Sequence, residues 1–249
     1  MASLVLAVRF LSIVPVRGRE VGGPGALGRA AWWFPAIGLT LGGGLTVADR
    51  ALAAVVPPLL SAGLVVAAWK VFTGGIHLDG LADCLDGLAG VNAERRLAIM
   101  RDSRIGVFGA LGLVLCLLMA CAALSGTPAA ARAPILLLAP AVGRLTPLLV
   151  GPLARPATPG RGLGAAFLDG LPRAAGPVWL AALLVLAWCL LGLTGVAMAA
   201  GALVAGAVGV VVLARRFGGL TGDVLGAGVE LSELALLVLG ASCAHRDLI

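Results

Sequence analysis

The chain has 249 residues, 60% of them hydrophobic and 12% charged, against about 45–50% apolar and about 25% charged in a typical soluble domain, which excludes a single water-soluble core. Charge is lost without aromatic replacement: Tyr is absent and the apolar gain is in Leu, Ala, Val and Gly, as suits helices packed against helices in lipid. The net charge of +6 is spread over short loops with no basic run and no interleaved aromatics, which argues against nucleic acid and for topology control and anionic ligands.

A spanning helix needs about 20 mainly apolar residues. Leu4–Val14 is too short to cross and is expected to lie in the interface or re-enter; it also lacks the basic leader and cleavage motif of a signal peptide. Candidate spans follow at 30–48 and 51–73, separated by a short Asp49-Arg50 turn, then at 106–125 and at 133–153, the last interrupted only by Arg144. The uncharged run 174–214 is too long for one helix and divides at Gly192-Leu193-Thr194-Gly195 into spans 175–192 and 196–213. A final span, 229–244, is short and carries Glu230 and Glu233 in its first turn. The expected fold is therefore all-α: a polytopic integral-membrane helical bundle of six to seven transmembrane helices, forming one catalytic domain over 1–249.

Alternating the connections puts Arg17, Arg19, Arg29, Arg95, Arg96, Arg101, Arg104, Arg155, Arg161, Arg173, Arg215 and Arg216 on one side, and only Arg50, Arg132 and Arg246 on the other. The excess of cations marks the cytoplasmic side, which places the N-terminus there and, with seven spans, the C-terminus outside. The same side receives most of the carboxylates. The five cysteines (Cys84, Cys116, Cys121, Cys189, Cys243) show no ligand spacing and are read as reduced, small hydrophobes with no zinc site.

Three segments carry chemistry. In Gly74-Gly75-Ile76-His77-Leu78-Asp79-Gly80-Leu81-Ala82-Asp83-Cys84-Leu85-Asp86-Gly87, helical spacings of four and three put Asp79, Asp83 and Asp86 on one face. Like charges so spaced repel, and hard Mg²⁺, with Mn²⁺ as the alternative, relieves the repulsion through carboxylate oxygens. The bland reading is a solvated face or separate caps and ion pairs. His77 is either structural or catalytic. In the second segment, Ile99-Met100-Arg101-Asp102-Ser103-Arg104-Ile105-Gly106, Arg101 and Arg104 suit bidentate phosphate binding, and Asp102 either completes a metal site or orients an arginine. In the third, Thr221-Gly222-Asp223 leads to Glu230 and Glu233, which fit a second metal or nucleotide site or, more simply, the electrostatics of a helix start. Arg144, mid-span, needs a partner: it pairs with one of these acids or reaches into the site as a phosphate ligand. Together these features fit phosphoryl transfer on a membrane; a cation-coupled transporter is the rival class.

The segment from Gly74 through Asp83 with Asp86-Gly87 resembles the signature of the cobalamin synthase family, adenosylcobinamide-GDP ribazoletransferase. So do Ile99 through Gly106 with Phe108-Gly109, Thr221-Gly222-Asp223 with Leu225-Gly226-Ala227, Phe10-Leu11-Ser12 with Pro15-Val16, and Trp33-Phe34-Pro35 with Gly38. The chain departs from the family in showing Ser12-Ile13 where Thr-Arg is usual, so any role of that arginine would fall to Arg9 or Arg17. The resemblance implies a Mg²⁺-dependent phosphotransferase of the bacterial cytoplasmic (inner) membrane, its active site facing the cytoplasm. Its small-molecule substrates would be adenosylcobinamide-GDP and α-ribazole or α-ribazole 5′-phosphate, and its products adenosylcobalamin or its phosphate, and GMP. The implied roles are metal binding for Asp79, Asp83, Asp86, Asp102 and Asp223, proton abstraction for Asp86 or His77, and phosphate binding for Arg101, Arg104 and Arg144. Glu230, Glu233, Ser103 and Thr221 would support them. The aspartates also look like the motif of CDP-alcohol phosphotransferases, although the Ala-Arg of that class's pattern and its fourth aspartate are absent. The bilayer is the expected partner, no nucleic acid is, and an oligomer is left open.

Overall fold

A computed structural model describes residues 2–17 and 22–249; Arg19, counted above among the cytoplasmic cations, lies outside the described residues. Among the described residues the structure is helical, with one isolated bridge between Pro156 and Leu220. A ten-residue helix α1 (Ala2–Leu11) buries Ala7 and Leu11. Helix α2 (Ala26–Ala30) continues through a 3₁₀ turn into α3 (Phe34–Ala53), making one apolar rod.

That rod corrects the first expected turn. Helix α3 runs straight through Asp49 and Arg50, because Asp49 is buried and paired with Arg132 and also accepts from Ser61 Oγ at 3.4 Å. A neutralised carboxylate need not end a helix. The chain turns instead at residues 54–57, where Pro57 is extended and Pro58 opens α4 (Pro58–Phe72). Arg132, expected in an external connection, sits inside α8 (Ala129–Val150).

At the end of α4, Gly74 and Gly75 adopt φ of 63° and 67°, conformations open to glycine at little steric cost. They turn the chain by 89° into α5 (Ile76–Gly87). The acidic motif therefore lies on a short helix angled to the preceding one. Helix α6 (Ala93–Met100) is capped by Asn92, which accepts from Arg95 N at 2.8 Å, and α7 (Val107–Gly126) follows. Helix α8 is the central post: 78% of its most apolar window is buried, against 28% for α7, whose other faces are left to lipid. Gly38 and Gly42 of α3 back directly onto Ala141 and Leu137 of α8, the small-residue contact that lets helices approach in a bilayer.

After the short α9 (Gly162–Leu168) comes α10 (Ala175–Phe217), 43 residues long. A straight helix of that length would reach about 65 Å. It folds back at Gly192 (φ 60°, ψ −149°), so that Gly195 lies against Ala187. At this reversed end Thr194 meets Leu248, and at the far end the carbonyl of Arg216 accepts from Arg96 Nη1 at 3.0 Å. The last helix, α11 (Gly222–His245), begins beside that far end. It joins α8 through Thr146 Oγ1 and Ser232 Oγ, 2.6 Å apart. Among the described residues five helices are long and apolar enough to cross a membrane, or six if the bent α4–α5 pair counts as one span, and α10 is broken at Gly192. The chain is a polytopic helical membrane protein.

Candidate active site

Helix α5, the start of α11, the 101–106 turn and the end of α8 enclose a cavity of about 920 Å³, within the range of small-molecule sites. Gly80 decides how α5 and α11 meet. A Cβ there would stand 2.9 Å from Asp223 Cα, so only glycine brings Asp223 this close to Asp79 and Asp83. Thr221 caps α11 by accepting from Val224 N at 3.1 Å and does not line the cavity; its job is to start the helix that carries Asp223. Asp79, Asp83 and Asp223 all line the cavity, Asp79 exposed and the other two half-buried. The charges of Asp79 and Asp223 both bear on Asp83, and neither Asp79 nor Asp83 has a hydrogen bond or ion pair with a described residue.

Among the described residues no three His, Cys, Asp or Glu side chains stand close enough to hold a metal by themselves. The donor set still suits a hard divalent cation, which commonly takes one or two carboxylates and completes its shell with water and substrate phosphate. Of the five aspartates expected to bind metal, Asp79, Asp83, Asp102 and Asp223 line the cavity and Asp86 does not.

Two of those five have other work. Asp86 lies in the last turn of α5, facing the start of α7, and does not line the cavity. Its Oδ2 accepts from Gly106 N at 2.7 Å and its Oδ1 from Gly109 N at 2.8 Å. Unpaired amides at a helix start capture a carboxylate, so Asp86, expected as a metal ligand or base, ties α5 to α7 through both of its oxygens. Asp102 lines the cavity mouth but is closed on Arg104: its Oδ2 is 2.6 Å from Nη2, and its Oδ1 accepts from Nε at 3.0 Å and from the backbone N–H at 3.1 Å. The Arg104 side chain, then its amide, hold the Asp102 carboxyl down at about 2. Exposed pairs of this kind contribute little to stability, so a phosphate can compete for Arg104. Arg101 and Ser103 line the same mouth and are exposed.

Glu230 and Glu233 do not begin their helix, since α11 starts at Gly222. They lie about 11 and 15 Å beyond Asp223 along its axis, buried and outside the main cavity. Lys70 Nζ lies 2.6 Å from Glu230 Oε2 and 2.9 Å from Glu233 Oε2, while Arg144 pairs with Glu233 Oε1. Arg144 and His77 both line the cavity at its buried end. Arg144 Nε and Nη2 and His77 Nδ1 have no hydrogen-bond partner among the described residues.

Sequence reasoning missed Lys70, the chain's sole lysine. The available signal was a lone cation inside an apolar run, in a chain with two intramembrane glutamates in need of counter-charge. It also missed the aromatic wall: Phe10 stacks on Phe34 with centroids 5.7 Å apart, and Phe167 tilts against Phe34 at 6.1 Å, all three lining the cavity. Nothing in the local sequence marks Phe167. Arg9, weighed above for the family's missing arginine, does line the cavity and donates from Nε to Val16 O at 2.9 Å.

The family described as cobalamin-5-phosphate synthase matches residues 3–241. A protein of Pseudomonas paraeruginosa named adenosylcobinamide-GDP ribazoletransferase is 40% identical over 250 residues, covering 95% of this chain and 96% of its own. Proteins of the same name from Pseudomonas fluorescens and Stutzerimonas stutzeri are 42% and 39% identical, covering 94% and 96% of this chain and 96% and 97% of their own. No solved structure matches the chain.

Proposed function

The chain belongs to the cobalamin-5-phosphate synthase family, and on that premise we propose that it joins adenosylcobinamide-GDP to α-ribazole, or to its 5′-phosphate, in the assembly of the cobalamin nucleotide loop. The observation that carries the reading is one cavity in which Asp79, Asp83 and Asp223 from two helices meet Arg101 and Arg104 from a third segment. Carboxylates unpaired with any described cation beside exposed guanidinium groups suit a diphosphate and a divalent cation.

In this reading Asp79, Asp83 and Asp223 hold Mg²⁺, with Mn²⁺ as a substitute. The cation, when bound, offsets charge on the diphosphate oxygens and on the departing GMP. Arg101 and Arg104 orient the donor, Arg104 exchanging Asp102 for phosphate. The 3′-hydroxyl oxygen of the ribazole attacks the cobinamide-side phosphorus, the bond from that phosphorus to the GMP oxygen breaks, and GMP leaves with the electron pair. His77 takes the hydroxyl proton at Nδ1, since Asp86 is engaged by two amides. Packing around the cavity limits competing attack by water.

The membrane is the bacterial cytoplasmic one and the cavity opens to the cytoplasm. Its mouth carries Arg101 and Arg104, with Arg96 and Arg216 joined at the same end of the bundle, the side that the positive-inside rule favours. A transporter would use its deep carboxylates for a moving ion; here Glu230 and Glu233 are already closed by Lys70 and Arg144.

The test is purified protein in lipid nanodiscs with adenosylcobinamide-GDP, each acceptor, and either Mg²⁺ or a chelator. Metal-dependent release of GMP with a corrinoid product is expected. No release with either acceptor sinks the reading.

A further inference from the structure

We propose that the end of α10 on which α6 docks is a binding site for an anionic phospholipid, and that the bound lipid steadies the 101–106 turn at the cavity mouth. The lipid site stands on its own observations; its effect on the turn rests on the reading above. Three exposed arginines belong to this junction: Arg215 and Arg216 in the last turn of α10, and Arg95 in the first turn of α6. None of them lines the cavity or forms an ion pair with a described residue. Glu94, the one acid on α6, is exposed and forms none either. Arg96 joins the two elements. Its Nη1 donates to the Arg216 carbonyl at 3.0 Å, and its stem packs on Gly90, where a Cβ would stand 2.7 Å from Arg96 Cγ. Guanidinium groups left without a carboxylate in the protein suit a phosphate from outside it.

The apolar half of the ligand has a place as well. Val204, Val208, Val211 and Val212 of α10 are exposed. At about 100° per residue, these four and Arg215 fall within about 100° of one another. A stripe of apolar side chains thus runs along α10 and ends in a cation. Acyl chains lie along such a stripe and bring the headgroup phosphate to its end. A soluble nucleotide or free phosphate would use the arginines but gain nothing from the valines, which commits the site to a phospholipid. A zwitterionic headgroup sets its own cation against the arginines, so an anionic one is selected.

The site reaches the reaction through packing. Phe217, next to Arg216 and 1% exposed, closes with Met100 of α6 on Gly87 of α5. A Cβ on Gly87 would stand 2.9 Å from both Met100 Cγ and Phe217 Cε1. Met100 lines the cavity and is followed directly by Arg101. Helix α6 therefore runs from the end of α10 to the turn that carries Arg101 and Arg104. A lipid bridging Arg95 to Arg215 and Arg216 fixes the near end of that helix, which limits how far the turn can drift. The three arginines touch no reactant and are positioning residues.

The experiment uses the full chain with phosphatidylglycerol and phosphatidylcholine as probes. Native mass spectrometry of detergent-solubilised protein should show phosphatidylglycerol retained about 10–100-fold better, since each arginine near an anionic surface contributes about fivefold in affinity. Arg95→Gln combined with Arg215→Gln and Arg216→Gln should erase the preference. Arg95→Lys with Arg215→Lys and Arg216→Lys keeps the charge and the topology signal, and should retain part of it. Equal retention of the two lipids by wild type, or an unchanged preference in the Gln variant, would overturn the site; the wild-type result decides even if that variant fails to fold. In nanodiscs at fixed ionic strength, replacing part of the phosphatidylcholine with phosphatidylglycerol should lower the KM of the donor by a few fold with little change in kcat. Inorganic phosphate added to phosphatidylcholine discs should not reproduce this; if it did, the ligand would be a free anion and the lipid site would fall. A KM that ignores the lipid, or responds equally in the Gln variant, would overturn the link to the turn. Absence of GMP in every lipid would count against the proposed reaction and not against the lipid site, which is read without turnover.

Discussion

The rim and the floor of this cavity use the same residue types in opposite ways. At the rim, Asp79 and Asp83 have no hydrogen bond or ion pair with a described residue and stand beside Asp223 at the cavity mouth. Behind the floor, outside the cavity itself, Glu230 and Glu233 are each matched to a cation and buried. Carboxylates left open near solvent tolerate mutual repulsion because water and a cation moderate it. Carboxylates in the apolar interior survive only as members of a neutral set. The rim is therefore poised for a ligand, whereas the floor's acids serve to hold an arginine.

The comparison is tested most severely at the rim. Asp79→Asn or Asp83→Asn should reduce kcat by about 10³-fold or more, the scale at which a metal-supported charge is lost, while melting temperature in detergent holds or rises slightly as repulsion is relieved. GMP release at more than a tenth of the wild-type rate would break the contrast. At the floor the effect should fall on folding. Lys70→Met leaves two buried carboxylates short of a cation and should cost about 3–5 kcal/mol in chemical denaturation, with partial recovery when Glu230→Gln is added. Equal stability of the single variant and wild type would mean that the quartet holds nothing.

Asp86 lies between these two regimes. Asp86→Ala should lower kcat/KM by about 10–100-fold through misplacement of the 101–106 turn. Gly106→Ala should do the same, because a Cβ there runs into the Asp86 carboxylate. If Asp86→Ala instead abolished Mg²⁺ binding and Gly106→Ala were silent, Asp86 would be a ligand after all. The smallest effect belongs to Asp102. Its carboxyl is held at about 2 by Arg104, below the usual carboxylate value near 3.9. The pair is thus complete above about pH 4 and weakens only as pH falls toward 2. Asp102→Asn should leave melting temperature unchanged and shift the KM of the donor by a few fold. A pH–rate profile between 5 and 9 should show no inflection from this group.

Much of the molecule was legible in the sequence because membrane folding is governed by length and charge. The apolar runs, the arginine asymmetry and the order of the three motifs are local quantities, and they suffice for a polytopic helical bundle and for its family. The pairing of charges was not legible. Asp49 reads as the end of a span until Arg132, distant in sequence, neutralises it. Asp86 reads as one of three equivalent aspartates until the amides of Gly106 and Gly109 meet it. Lys70 reads as a stray cation until Glu230 and Glu233 arrive from the last helix. By itself, then, the sequence determined that acids would collect at one end of an apolar bundle. Only the tertiary structure decided which of them remain open to a ligand, because the cost of a charge in a low-dielectric interior depends on what stands within a few ångströms of it.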